Sequence, residues 1–188
     1  MKKIVLASKS PRRIKILNDM GLEFEIVPSL AKEKHDDNTF LYEKVEELAK
    51  QKVVNVSEQI NYDAIIISAD TVVVLDNEVM NKPKSEEEAF SMLKKLSGNE
   101  HKVVTAICVF DNAAKKLKQT SVTSIVRFNN LTDEQILSYI KDFKPFDKAG
   151  SYGIQELPDN WINSVTGSFE NIIGLCPKAL GSILQEFQ

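Results

Sequence analysis

The residues best suited to bind an anion lie near the N-terminus. A short apolar run is followed by two hydroxyl groups, a proline and two arginines: Ser8, Ser10, Pro11, Arg12 and Arg13. Ser10 is a typical helix N-cap and Pro11 a typical first helical residue, so a helix is expected to begin here. The free N–H groups of a helix start, the hydroxyls and the guanidinium groups all donate hydrogen bonds to phosphate oxygens. The segment predicts a phosphate site, although a helix cap with solvated arginines explains the same residues.

The position of the two arginines favours the phosphate interpretation. Cationic side chains at a helix N-terminus oppose the helix dipole by roughly 0.3 to 1 kcal/mol each unless an anion lies between them. Successive helical residues point about 100° apart, so Arg12 and Arg13 are not expected to contact the same phosphate.

A candidate for acid–base chemistry is Asp70, which follows the apolar, β-branched run of residues 64–67. This run is typical of a strand buried on both faces, expected to end or bend at residues 68–71. Ligands of open α/β sheets bind beyond the carboxyl ends of strands. The residues alone nevertheless favour a carboxylate that accepts a turn hydrogen bond at the strand end.

The elements that must position these groups follow from hydrophobic spacing and capping signals. Helices are predicted at residues 11–20, from 41 to beyond 52, at 85–96 and 132–140, and after 177; Ser85 with Glu88 and Thr132 with Gln135 are capping boxes. Strands are predicted at residues 4–7, 24–27, 64–67, 72–75, 78–80, 103–110, 121–128, within 147–155 after a loop, and at 171–175. Helices and strands alternate in the first half of the chain, and antiparallel strand pairs dominate the second half. This order indicates the α/β class, with a mixed, twisted sheet flanked by helices. Without repeats or linkers, residues 1–188 are predicted to be a single domain.

The composition of the chain limits the classes of binding partner and the cellular compartment that we expect. The formal net charge of −3 argues against a broad nucleic-acid or anionic-membrane surface but allows a local basic pocket. Cys108 and Cys176 form no CxxC pair and are expected to be packing residues in a reducing compartment. His101 and Trp161 are likewise expected to pack rather than react. With no membrane span and no address in the sequence, we expect a soluble, cytoplasmic protein.

At residues 6–13 the sequence resembles the signature of the Maf family of nucleoside triphosphate pyrophosphatases. Further family blocks follow in family order over nearly the whole chain: residues 68–73, 82–83, 96–98 with His101 and Thr105, 147–150, 152–155, 167–168 and 174–175. The resemblance implies an elongated, two-lobed, inosine-triphosphatase-like fold with a central cleft, often as a homodimer. It also implies cleavage of a nucleoside triphosphate between the α- and β-phosphates. At residues 174–177 this chain has one residue more than the usual Gly-Leu-Pro.

The resemblance assigns catalysis to Asp70, as the group that activates water. A carboxylate with an ordinary pKa of about 3.9 is a weak base, so this role needs either a raised pKa or a metal ion that acidifies the water. The family implies Mg²⁺, or Mn²⁺, held by Asp70 and Glu33. Relatives carry paired acidic residues where this chain has Lys32 and Glu33. Glu33 therefore has an alternative interpretation as an ordinary loop carboxylate.

The remaining site residues are also implied by the resemblance. Lys52, Lys82 and Lys148 match family lysines that would bind the triphosphate together with Ser8, Ser10, Arg12 and Arg13, although most lysines are merely solvated. Arg12, Thr71 and Gln155 match the group that acts on dTTP and UTP. The Gln155 amide matches the N3–H and O4 edge of uracil or thymine, and its alternative is a polar strand-end side chain. The competing functions are hydrolysis of another nucleotide, such as 7-methylguanosine triphosphate, and a non-catalytic, nucleotide-binding regulator of septum formation.

Overall fold

The computed structural model describes residues 2–31 and 38–187, which contain seven strands, six α-helices and two short 3₁₀ turns. The strands are β1 (Lys3–Leu6), β2 (Glu25–Ile26), β3 (Ala64–Leu75), β4 (Glu78–Met80), β5 (Glu100–Asp111), β6 (Lys116–Phe128) and β7 (Ile162–Thr166). The helices are α1 (Pro11–Asp19), α2 (Tyr42–Gln59), α3 (Glu86–Leu96), α4 (Asp133–Phe143), α5 (Phe169–Ile173) and α6 (Pro177–Gln185). The 3₁₀ turns are Ala149–Ser151 and Ile154–Glu156.

All seven strands form one mixed sheet in the order β2, β1, β3, β5, β6, β7, with β4 also paired to β3. β1 is parallel to β2 and β3, and the remaining pairs are antiparallel. β5 pairs with β3 from Ile65 to Val74 and so takes up one whole edge of β3. The other edge is shared by β1, which pairs up to Ile67, and β4, which pairs from Val73. Residues 68–72 of β3 therefore lie in a gap between two neighbouring strands.

Each face of the sheet buries its own core because side chains alternate along a strand. α2 covers one face with Val45, Ala49 and Val53 against Ile66, Val72 and Val104. The opposite face has two clusters. α1 and α6 cover Ile67 and Ile107, whereas α3 and α4 enclose Val103, Phe128 and Trp161.

Most predicted elements are confirmed, including the mixed sheet and the helix starts. Ser10 caps α1 by accepting from the Arg13 N–H, and Thr132 with Gln135 forms a complete capping box at α4. Trp161 and both cysteines are buried, as predicted for packing residues. Among the helices of residues 2–31 and 38–187, none is long and apolar enough to cross a lipid bilayer.

Three predictions of local structure were wrong. The strand predicted at residues 64–67 does not end at Asp70 but continues to Leu75. Residues 171–175 belong to α5 and its C-terminus rather than to a strand, since Ser168 caps a helix there and Gly174 ends it at a φ of 131°. Residues 147–155 contain 3₁₀ turns instead of a strand, and the last strand is β7, whose polar and exposed residues carry no strand signal.

Candidate active site

A cleft of about 810 Å³ opens at the gap in the sheet. Its lining includes every predicted site residue that the structure describes: Ser8, Ser10, Arg12, Arg13, Lys52, Asp70, Thr71, Lys82, Lys148 and Gln155. Glu33 and its neighbour Lys32, predicted for the metal site, lie outside the described residues. Seven cationic and three anionic side chains line the cleft, an excess of four positive charges in a chain whose net charge is −3. The predicted local basic pocket is therefore present.

The gap exists because β1 leaves the sheet earlier than β3. Its last hydrogen bond to β3 runs from the Ala7 N–H to the Ile67 carbonyl, at 2.8 Å. The chain then turns through Ser8 and Ser10 into α1, while β3 continues alongside β5. The start of a helix thus faces the uncovered edge of a strand, an arrangement that suits an anionic ligand.

The first wall of the cleft is the turn between β1 and α1. Ser8 accepts from the Ser10 N–H through its hydroxyl, at 3.2 Å. The two guanidinium groups diverge, as successive helical positions require. Arg12 reaches Asp147 at 3.3 Å, whereas Arg13 donates through Nε to the Gly174 carbonyl at 2.9 Å. The arginines therefore face different parts of the cleft.

At the floor, Asp70 forms a buried ion pair with Lys52. Lys52 Nζ donates to Asp70 Oδ1 at 2.6 Å, and the two side chains are only 9% and 8% exposed. Asp70 belongs to the face of β3 that α2 covers, so the helix brings the lysine to it. Removing two charges from water is costly, and such pairs often contribute little net stability. A role in function therefore explains this buried ion pair beside a basic cleft better than a contribution to stability does.

Thr71 points to the opposite face of the sheet from Asp70. Its Oγ1 accepts from Arg13 Nη2 at 3.1 Å and lies 2.9 Å from Oγ1 of Thr105 on β5. Thr105 in turn donates to the backbone carbonyl of Asn171, at 3.0 Å. Two adjacent residues of one strand thus border the cleft from two different cores.

The second wall contains Lys148, which is buried between two carboxylates. Its Nζ lies 2.8 Å from Asp147 and 3.3 Å from Glu156. Burial alone would raise the pKa of Asp147, but the hydrogen bond and charge of Lys148 and the charge of Arg12 outweigh it, and the pKa is lowered. Gly153 makes room for the lysine, because a Cβ at this position would lie 2.9 Å from its Cε. The wall thus presents a fixed ammonium group.

Lys82 and Gln155 line the more open part of the cleft. Both side chains are exposed, unlike those of Lys52 and Lys148. Gln155 lies on the second 3₁₀ turn and Lys82 follows β4, so they approach from different elements. Both side chains are accessible to a ligand that enters from solvent.

Comparison with known proteins identifies the family of this chain. The model of the Maf-like protein family matches residues 3–187. The chain belongs to the Maf family. A dTTP/UTP pyrophosphatase of Clostridium perfringens is 42% identical, over 98% of this chain and 97% of that protein. Proteins of the same name from Caldicellulosiruptor saccharolyticus and Aquifex aeolicus are each 41% identical, over 99% and 98% of this chain and 95% of each relative.

Solved structures support the fold of this Maf protein. The Ham1 protein of Staphylococcus aureus superposes with a TM-score of 0.53, at 16% identity and over all of both chains. A HAM1 protein of Coxiella burnetii gives 0.52, also at 16% identity, over 99% of this chain and all of that one. The predicted α/β class, with a mixed sheet flanked by helices, is confirmed.

Sequence reasoning missed several polar groups around the cleft of this Maf protein. Asp147 lies inside a family block and could have been noticed as the neighbour of Lys148. Glu156 was missed although its partner Lys148 is close in the sequence. Asn171 gave no signal, because its partner Thr105 lies far away in the sequence. His101 was correctly expected to pack, since it is buried against Phe128 and hydrogen-bonded to the Tyr152 hydroxyl.

Proposed function

We propose that this Maf protein hydrolyses dTTP and UTP between the α- and β-phosphates, releasing the nucleoside monophosphate and pyrophosphate. The decisive observation is the cleft, in which a strongly basic lining surrounds one buried carboxylate, Asp70. Relatives that are similar to this chain over nearly its full length are named dTTP/UTP pyrophosphatase, and these names support the choice of nucleotide.

In the proposed reaction, Asp70 orients and deprotonates the water that attacks the α-phosphorus. Lys52 holds the carboxylate in place from α2 through the 2.6 Å hydrogen bond. Arg12, Arg13 and Lys148 come from two walls of the cleft and would stabilise the charge that develops on the departing pyrophosphate. These contacts are worth most in the transition state, where that charge is greatest.

A divalent cation is part of this proposal, with Mg²⁺, or Mn²⁺, bound by Asp70 and Glu33. Within the described ranges, no three His, Cys, Asp or Glu side chains form a group that could hold a metal ion. Mg²⁺ needs only one or two carboxylates when phosphate oxygens and water complete its octahedron. Asp70 therefore fits an ion that arrives with the triphosphate. Such an ion would lower the pKa of bound water and neutralise phosphate charge.

The choice of base is proposed to involve Arg12, Thr71 and Gln155. The exposed amide of Gln155 offers both an acceptor and donors, as the N3–H and O4 edge of a pyrimidine requires. Once a bound base covers this amide, mispairing would leave polar groups without hydrogen bonds, so the site would discriminate against other bases.

The proposal includes a homodimer in the cytoplasm. Sedimentation of the purified protein would test the homodimer, and cell fractionation would test the cytoplasmic location.

The substitution Asp70→Asn tests the catalytic role. We expect it to lower dTTP turnover, measured as pyrophosphate release, roughly a hundredfold or more. Asp19→Asn is a matched control, since Asp19 pairs with Lys15 at 2.8 Å on the exposed surface of α1 and away from the cleft. Unchanged turnover in Asp70→Asn would refute the role. Binding of dTTP without turnover by the wild type, with either Mg²⁺ or Mn²⁺, would instead favour a nucleotide-binding regulator.

A further inference from the structure

A line of hydroxyl groups connects the cleft with the interior of the sheet. Thr71 and Thr105 are directly opposite each other in the register of β3 and β5, with Oγ1 atoms 2.9 Å apart. Thr105 is completely buried and reaches the backbone carbonyl of Asn171 at 3.0 Å. At the other end, Arg13 Nη2 lies 3.1 Å from Thr71 Oγ1. The line therefore runs from a cationic group in the cleft to a carbonyl inside the protein.

The direction of these hydrogen bonds follows from the number of protons. A hydroxyl group has one proton to donate, and a carbonyl oxygen can only accept. Thr105 must donate its proton to Asn171, so in the contact between the two threonines Thr71 is the donor. Thr71 Oγ1 then faces Arg13 as an acceptor. The other acceptor near Thr71, the Gly174 carbonyl, is farther away at 3.4 Å.

The carbonyl at the end of the line is itself fixed. The Asn171 side chain is fully buried and donates to the Val103 carbonyl and to Ser124 Oγ, both at 3.1 Å. Since the Val103 carbonyl can only accept, the amide nitrogen must face it and the amide cannot be flipped. Ser168, the cap of α5, accepts from the Asn171 N–H at 3.1 Å. Asn171 thereby locks the short helix α5 onto the sheet.

We propose that Thr105 is a positioning residue for Arg13. By accepting the proton of Thr71, it orients the Thr71 hydroxyl so that the lone pairs of Oγ1 face Arg13 and hold one side of the guanidinium group. The Gly174 carbonyl, at the end of the same helix α5, holds Nε at 2.9 Å. Two contacts from a rigid framework then set the plane in which Arg13 meets phosphate. This inference rests on the proposed function only in taking the ligand to be a polyphosphate.

The test is the binding of inorganic tripolyphosphate to the full chain, measured by calorimetry. Thr105→Val keeps the shape of the side chain but removes the hydroxyl, and we expect about fivefold to tenfold weaker binding. Thr105→Ser restores the hydroxyl and should bind within about twofold of the wild type. In an Arg13→Lys background, which keeps the charge but loses the planar fork, Thr105→Val should cause no further loss.

Thr123→Val is the matched control, because it removes a β6 hydroxyl that contacts Tyr42 and not the cleft. It should bind tripolyphosphate like the wild type, and thermal unfolding would verify that each variant is folded. The proposal is overturned if Thr105→Val binds normally, if Thr105→Ser fails to restore binding, or if the two losses add in the double variant. Additive losses in a protein that still hydrolyses dTTP would refute the positioning role alone. A coupled cycle in a protein without turnover would refute the proposed function alone.

Discussion

The adjacent residues Asp70 and Thr71 of β3 point to opposite faces of the central sheet, and the polar groups around them differ in charge. On the face covered by α2, Asp70 and Lys52 form a buried ion pair, with 2.6 Å between Lys52 Nζ and Asp70 Oδ1. On the opposite face, Thr105, Asn171 and His101 are buried as neutral groups and form hydrogen bonds. A charged pair can change its partners when a charged ligand arrives, whereas a neutral network specifies a geometry. We infer that the first face carries the chemistry and the second holds the binding groups in place.

The strongest test of this comparison is to remove Lys52. Lys52→Met would leave the Asp70 carboxylate buried without its ammonium partner, which should destabilise the protein by about 3 to 5 kcal/mol. Urea unfolding would measure the loss. The double variant Lys52→Met with Asp70→Leu should recover most of that stability but not dTTP turnover. Lys15→Met, which breaks an exposed pair on α1, should cost less than about 1 kcal/mol. An equally mild effect of Lys52→Met would mean that the pair is solvated.

The neutral groups of the opposite face can be tested by measuring stability at low pH, where His101 takes up a proton. Burial lowers the pKa of His101 from 6.5 to about 4. Between these two pH values the unfolded chain therefore binds more protons than the folded chain. The contribution of His101 to the free energy of unfolding is fully present above pH 6.5 and is lost as the pH falls towards 4. The difference of pKa corresponds to about 3 kcal/mol.

His101→Gln would show how much of the acid loss belongs to this residue. The amide can still hydrogen-bond to Tyr152, whose hydroxyl lies 2.7 Å from the imidazole Nε2, but it does not titrate. Urea unfolding at several pH values should show a shallower decline between pH 6.5 and 4 in the variant than in the wild type. Parallel declines would assign the acid sensitivity to other groups.

The sequence predicted the contents of the cleft better than the geometry of its centre. Capping signals at Ser10 and Thr132 are local, and the structure confirms them. The continuation of β3 through Asp70 and Thr71 was missed because polar residues interrupt its apolar run. They can be buried in a strand only because Lys52 and Thr105, distant in sequence, supply partners. Such partners depend on tertiary contacts that hydrophobic spacing does not reveal.

The same limit explains the error at residues 171–175. Two isoleucines suggested a strand, but a serine cap and a buried asparagine amide fix a helix of five residues. Short segments of this kind take the structure that their tertiary contacts select. The described residues that the family resemblance assigned to the site nevertheless line the cleft, although the local structure around some of them was predicted wrongly.

The smallest expected effect concerns the second buried lysine, Lys148, whose carboxylate partners are partly exposed, unlike Asp70. Gly153→Ala should displace it, because the new methyl group would lie 2.9 Å from Lys148 Cε and 3.1 Å from a Glu156 oxygen. The backbone of Gly153, with a φ of −113°, accepts alanine without strain. The unfolding free energy should therefore fall by only about 1 kcal/mol, while dTTP turnover falls roughly tenfold as the ammonium group moves.

Gly181→Ala provides the matched control for this substitution. Gly181 lies within α6, and apart from its chain neighbours and the backbone of its own helix no atom would lie within 4 Å of the added Cβ. Alanine there should raise the unfolding free energy by about 0.5 to 1 kcal/mol and leave turnover unchanged. If Gly153→Ala lost stability but retained full turnover, the position of Lys148 would not matter for the reaction. Buried charge in this cleft would then act only through the pair on the α2 face.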